Sequence, residues 1–162
     1  MALNAHLRLV ATQQGPVLGS VLQKGREGTV MVLAASHTIV GPRDPASGRP
    51  TGKRMHMPFV ITKEVDRSSP LLYAILCTNE NVTSVEIMFY TPDRTGVERQ
   101  HYTVSLTNAN ISSIDFRMPN TNNPHTARLP AREEISFTYQ KITWTWMEGN
   151  VTAADDWETP RF

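Results

Sequence analysis

The stretch TVMVLAASHTIV, residues 29–40, is apolar and rich in β-branched side chains over most of its length. Alternation along a strand would point Val30 and Val32 to one face and Met31 and Leu33 to the other. Both faces are therefore apolar, whereas a strand in a half-solvated antiparallel sheet alternates apolar with polar side chains. We predict a strand whose second face is covered, either by another layer of the same domain or by a second subunit.

Outward from this stretch, most of the chain also has the two-residue period of strands. One helix is predicted, because Ser69 is a suitable N-cap and Pro70 fits the first helical position; it should run from Pro70 to Thr78 and stop near Asn79. Further strands are predicted over residues 7–12, 55–64, 82–90, 97–106, 111–118 and 134–147, followed by a short acidic tail. One short helix among about eight strands predicts a mainly β fold, an antiparallel β-barrel of two packed sheets with the helix on its outside.

The composition of the chain fits one globular domain over residues 1–162, with 40% hydrophobic and 19% charged residues. Lys and Arg number 16 and Asp and Glu 15, a net charge of +1, which gives no electrostatic basis for binding nucleic acid or inserting into an anionic membrane. Cys77 is the single cysteine, so an intrachain disulfide is excluded. The first residues have no export-signal pattern, and synthesis in the cytoplasm is expected.

Motifs for chemistry are not found in the sequence. The five histidines have no metal-ligand spacing, and the glycine motifs of hydrolases and nucleotide-binding proteins do not occur. The pairs Glu133–Glu134 and Asp155–Asp156 are adjacent, so their side chains point apart in a strand, and we interpret them as solvated charges. We expect that the protein is not an enzyme and that it binds neither a cofactor nor a metal ion. A hydrolase with dispersed residues stays an alternative, because catalytic partners are often distant in the chain.

A long polar loop, GPRDPASGRPTGKR, follows the apolar stretch at residues 41–54. Loops of this length are often functional, and we predict that it mediates an interaction. Its charged residues carry four positive charges against one negative charge, a net of +3: Arg43, Asp44, Arg49, Lys53 and Arg54. The C-terminal stretch carries four acids against Arg161, a net of −3: Glu148, Asp155, Asp156 and Glu158.

Several segments, taken in order, resemble the Hcp (hemolysin-coregulated protein) family of bacterial type VI secretion. They are Arg26-Glu27-Gly28 before the apolar stretch, TGKRMHMPFVITKEVDRSSPLLYAIL at residues 51–76, and EEISFTYQKITWTWMEGN at residues 133–150. The resemblance implies a β-barrel tube subunit that forms hexameric rings with a central channel. It further implies rings stacked into a tube, a spike protein at the tube tip, a contractile sheath and effector proteins in the lumen. Such a subunit leaves the cell through the type VI machine.

The resemblance also gives roles to the features read from the residues. We hypothesise that the cationic loop of one ring meets the acidic C-terminal surface of the next. The apolar stretch is then expected to face a neighbouring subunit or the lumen through Met31, Leu33, Ala35, Ser36 and His37. A phage-type tail tube protein and a monomeric ligand-binding β-barrel with an apolar pocket are the alternatives.

Overall fold

A computed structural model describes residues 2–159 of the chain. Its elements are β1 (Ala5–Ala11), β2 (Gly15–Val17), β3 (Val30–Val32), β4 (Ala34–Ser36), β5 (Ile39–Val40), β6 (Met55–His56), β7 (Phe59–Glu64), α1 (Ser69–Cys77), β8 (Val82–Pro92), β9 (Glu98–Arg117), β10 (Arg132–Trp146) and β11 (Val151–Asp156).

The strands pair antiparallel in the order β2-β1-β8-β9-β10-β7-β4, with β3 added to β1 and β11 added to the second half of β10. The strands β5 and β6 form a separate two-stranded sheet. The large sheet buries one face, on which Val85, Ile87 and Leu106 are completely buried. A period-two pattern of apolar side chains therefore lines the interior of the sheet.

Residues 30–36 close this sheet into a barrel. In β3, Val30 lies opposite Leu7 of β1, whereas in β4, Ala35 lies opposite Ile61 of β7. Since β1 and β7 lie in different parts of the sheet, one short segment joins both edges. At the switch between the two partners, the Leu33 amide donates to the carbonyl of Thr62 at 2.8 Å. The predicted β-barrel with one short helix is confirmed.

The predicted single strand over residues 29–40 is split into β3, β4 and β5. The split follows from the closure, because a straight strand cannot pair with β1 and β7 at once. Two further predictions differ in the second half of the chain. The predicted strands 97–106 and 111–118 are one strand, β9, with Asn108 at φ +49° inside it, and the predicted acidic tail forms β11 against β10.

The helix α1 begins one residue earlier than predicted, with Ser68 as its N-cap and Pro70 in its first turn. Asn79 follows it at φ +53°, a left-handed conformation that ends the helix at the predicted place. Leu72 and Ile75 are buried against the barrel, whereas Leu71 is 40% exposed.

A buried ionic cluster fastens the start of α1 to the barrel. The Nζ of Lys63 lies 2.9 Å from the Glu133 carboxylate and 3.1 Å from Asp66, and it donates to the Ser69 hydroxyl at 3.0 Å. The side chain of Lys63 is 0% exposed and that of Glu133 is 2% exposed. The interpretation of Glu133 as a solvated charge is therefore wrong, while Glu134 is exposed as expected.

Candidate assembly site

The predicted loop is an ordered arm, defined here as residues 39–56. Its base is the β5–β6 pair, and above the base the Thr51 amide donates to the carbonyl of Pro42 at 3.1 Å. The Asp44 amide donates to the carbonyl of Arg49 at 2.8 Å near the tip. The Asp44 carboxylate accepts from the Ala46 amide, and this hydrogen bond holds the pKa of Asp44 below its ordinary value. Asp44 therefore shapes the turn of the arm.

Three cations of the arm face solvent. Arg43, Arg49 and Lys53 are exposed and make no ion pair with another part of residues 2–159. They are the charges of the arm that are available to another molecule.

The fourth cation, Arg54, is bound within its own chain. Its Nε donates to the Asp155 carboxylate at 2.5 Å, and its guanidinium also donates to the carbonyl of Asp156 at 2.9 Å. The hydrogen bond from Arg54 lowers the pKa of Asp155. Arg54 and Asp155 thus hold the arm against β11. Because they bind each other within one chain, neither is available for the contact between rings that we hypothesised. Among the acids of that surface, Glu148 and Glu158 are exposed, and Asp156 is half-buried.

A hydrogen-bonded chain, here called the arm network, extends this attachment to β10. The Tyr139 hydroxyl lies 2.7 Å from His37 Nε2 and 2.7 Å from His56 Nδ1, and His56 Nε2 lies 2.7 Å from the Asp155 carboxylate. Burial raises the pKa of Tyr139, which keeps the phenol protonated, and burial together with the neighbouring His56 lowers the pKa of His37. The two residues of each hydrogen-bonded pair are 83 to 102 positions apart in the chain, so no local sequence motif predicts the network.

The outward side of β3 and β4 is not covered by the described residues. Met31 is 38% exposed, Ala35 and Ser36 are exposed, and Leu33 and His37 are half-buried. Of the two alternatives for this stretch, a covering layer within the domain is therefore excluded for residues 2–159.

The exposed β3–β4 side belongs to a larger apolar patch. Val21, Met31, Leu33 and Val65 line a groove of about 200 Å³ together with Ser20, Glu64 and Asp66, and Met31 also lines an adjoining depression with Leu22, which is 90% exposed. Exposed apolar side chains grouped in this way beside polar residues are typical of protein contacts. The β3–β4 patch is defined here by Val21, Leu22, Met31, Leu33 and Val65.

Between residues 2 and 159, no group of three or more His, Cys, Asp or Glu side chains is placed to hold a metal ion. No helix in the same part of the chain has the length and apolar content needed to cross a bilayer.

Comparison with known proteins gives consistent matches over nearly the whole chain. A family model described as type VI secretion system effector, Hcp, matches residues 10–146. The Major exported protein of Pseudomonas aeruginosa PAO1 is 40% identical over 169 residues, which cover 99% of this chain and 98% of that protein.

The solved structures agree with these matches. A crystal structure of Hcp protein superposes with a TM-score of 0.89 at 26% identity, over 97% of this chain and 99% of that chain. The Hcp1 protein from the E. coli EAEC 042 pathovar gives a TM-score of 0.84 at 32% identity, over 96% and 99% of the two chains. The secreted protein Hcp3 from Pseudomonas aeruginosa gives 0.78 at 30%, over 98% and 100%.

Proposed function

Because the chain belongs to the Hcp family of type VI secretion, we propose that it is the structural subunit of a secretion tube, acting as one domain over residues 1–162. Six copies form a ring around a channel, the rings stack into a tube, and the tube is exported. The observation that carries the proposal beyond family membership is the uncovered β3–β4 patch, an apolar surface on a barrel whose own core is already closed.

Closed rings are built from head-to-tail contacts, so each subunit needs two different surfaces, one for each neighbour. The β3–β4 patch is one of them. The arm supplies the contact between rings, where its exposed Arg43, Arg49 and Lys53 meet exposed Glu148 and Glu158 of the next ring. Single exposed ion pairs contribute only about 0.2–1 kcal/mol, and repetition around the ring makes them effective.

The further partners we propose are a spike protein at the tube tip, a contractile sheath outside the tube and effector proteins in the channel. The subunit has no catalytic role in this proposal. A phage-type tail tube protein would use the same ring architecture, and the genes next to that of this chain distinguish the two.

Native mass spectrometry with negative-stain microscopy tests the proposal. We expect homogeneous hexameric rings with an open centre. A stable monomer at high protein concentration would overturn the proposal and favour the ligand-binding barrel.

The role of the β3–β4 patch is tested by Met31→Asp. Complete burial of an exposed methionine side chain contributes about 1.5–3 kcal/mol, of which the 38% of Met31 that is still exposed accounts for about a third, and a carboxylate in its place must be desolvated without a partner. Rings are therefore expected to dissociate into folded monomers, since Met31 lies outside the core. Met31→Leu keeps the apolar contact and is expected to keep the rings. Rings unchanged in Met31→Asp would show that another surface joins the subunits.

A further inference from the structure

The arm network fixes the position of the arm through a series of hydrogen bonds, and the donor and the acceptor of each bond can be assigned. His56 Nε2 faces the Asp155 carboxylate, which only accepts, so this nitrogen carries a proton. In a neutral His56 the Nδ1 atom is then an acceptor, and the Tyr139 hydroxyl donates to it. The Tyr139 oxygen in turn accepts from the Nε2–H of His37.

One added proton leaves every bond of this chain in place. A proton on His56 Nδ1 donates to the Tyr139 oxygen, the proton of neutral His37 moves from Nε2 to Nδ1, and the hydroxyl turns to donate to the freed Nε2. A second proton, on His37, makes both imidazoles donors toward the same hydroxyl, and the phenol hydrogen then has no acceptor along the chain. Two positive charges would also face each other across one buried phenol.

Among residues 2–159, the charged groups around the two rings are Lys53 and Arg54 from the arm, Asp155 and Asp156 from β11, and Glu158 beyond it. Their two positive and three negative charges give a net charge of −1, which balances only one of these protons. Asp155 is shared between His56 and Arg54. On its other side His37 contacts the ring of Phe59 on β7, with ring centres 5.2 Å apart, and gains no charge there.

We propose that the arm network is an acid-sensitive device, in which protonation of both His37 and His56 releases the arm from Tyr139 of β10 and leaves Arg54 as its remaining attachment to β11. The released arm loses its order, because the β5–β6 sheet has two residues in each strand and a hairpin of that size is not stable alone. The release is a property of the single chain. Its consequence, that acid weakens the contacts between rings, rests on the proposed function.

The lowered pKa of His37 sets the direction and the pH window. Between this lowered pKa and the ordinary histidine value of about 6.5, a released arm binds more protons than an attached one. Attachment is therefore strongest above about pH 6.5 and weakens as the pH falls below it. If His37 stays neutral while the arm is attached, the released fraction rises about thirtyfold between pH 7.5 and pH 5.

Hydrogen–deuterium exchange with mass spectrometry from pH 7.5 to pH 5 tests the device, with each rate divided by the intrinsic rate at that pH. Peptides within residues 39–56 are expected to lose protection about five- to thirtyfold, while β8 and β9 stay unchanged. His37→Gln keeps a side chain that donates or accepts but does not titrate, and its arm is expected to stay protected. His125→Gln alters an exposed histidine outside the network and should behave as the wild type.

Tyr139→Phe removes the shared hydroxyl, so its arm is expected to exchange fast at every pH, with the barrel peptides as the check on folding. A wild-type arm whose protection changes less than about twofold, or an equal loss in His37→Gln, would overturn the proposal. The series is repeated on Met31→Asp, expected to be monomeric, to separate the network from ring contacts. If the wild type is itself a monomer at pH 7.5, the proposed function fails, and the exchange result still decides on the device.

Discussion

Replacement of Lys63 by methionine is expected to lower the free energy of unfolding by about 3–5 kcal/mol. Methionine keeps most of the volume of the side chain and removes the ammonium group from the interior. Glu133, 2% exposed, then keeps a hydrogen bond from Ser69 but has lost the cation 2.9 Å away. A buried carboxylate without a counter-charge is costly because it has been taken out of water.

Glu133→Gln is expected to cost less, about 1.5–3 kcal/mol. The Lys63 ammonium still lies 3.1 Å from Asp66, whose side chain reaches solvent, and still donates to the carbonyl of Glu64 at 2.8 Å. The double variant Lys63→Met/Glu133→Gln contains neither charge of the pair. It should therefore be more stable than Lys63→Met alone, with a coupling energy of about 2–3 kcal/mol.

Guanidinium unfolding followed by circular dichroism measures these differences. All variants are compared at one protein concentration, because ring formation would stabilise the folded subunit by mass action. Lys141→Met is the matched control, since Lys141 is an exposed lysine in β10, and a change within about 0.5 kcal/mol is expected. The reasoning is refuted if Lys63→Met lies within about 1 kcal/mol of the wild type, or if the double variant is less stable than Lys63→Met.

Two further substitutions test the arm and a close backbone contact. Arg43→Glu with Arg49→Glu reverses two exposed charges of the arm and should reduce tube formation, seen by electron microscopy, while rings persist; unchanged tubes would exclude charge pairing between rings. Gly19→Ala would place a methyl carbon 2.3 Å from the carbonyl oxygen of Thr29. The free energy of unfolding should therefore fall by about 1–3 kcal/mol, which lowers the melting temperature by several degrees. Gly52→Ala is the control, because its methyl group would meet open space and should leave the melting temperature unchanged. Equal melting temperatures for the two glycine variants would contradict the contact.

The burial of Glu133 and Lys63 could have been predicted from the alternation of buried and exposed residues along their strands. The adjacency of Glu133 and Glu134 does not by itself show which of the two is buried. Glu133 and Glu134 point to opposite faces of β10, as expected, and the parity of the strand decides which one is buried. Glu133 shares its face with Ile135 and Phe137, both completely buried. Lys63 likewise has the parity of buried Ile61 on β7. Alternation therefore predicts two opposite charges inside the barrel, and only their distance requires the structure.

The arm network could not be predicted in this way. Its geometry depends on how residues from β6, β10 and β11 meet after the barrel has closed, with Arg54 and Asp155 101 positions apart. Composition and loop length indicated an exposed, charged loop, which is correct for Arg43 and Arg49. They could not indicate that Arg54, a member of the same run of charges, would pair with an acid of its own chain.

The closure of the barrel by residues 30–36 has a consequence for how the chain folds as it is made. One partner of this segment, β7, pairs with β10, which ends at Trp146. The partners of β1 all precede residue 93, but one edge of β7 stays unpaired until residues 132–137 of β10 have left the ribosome, and unpaired edges promote aggregation. Contacts between such distant segments also form slowly. A cell that makes many copies of this protein therefore has to shield nascent chains from one another, and refolding yield should fall steeply with chain concentration.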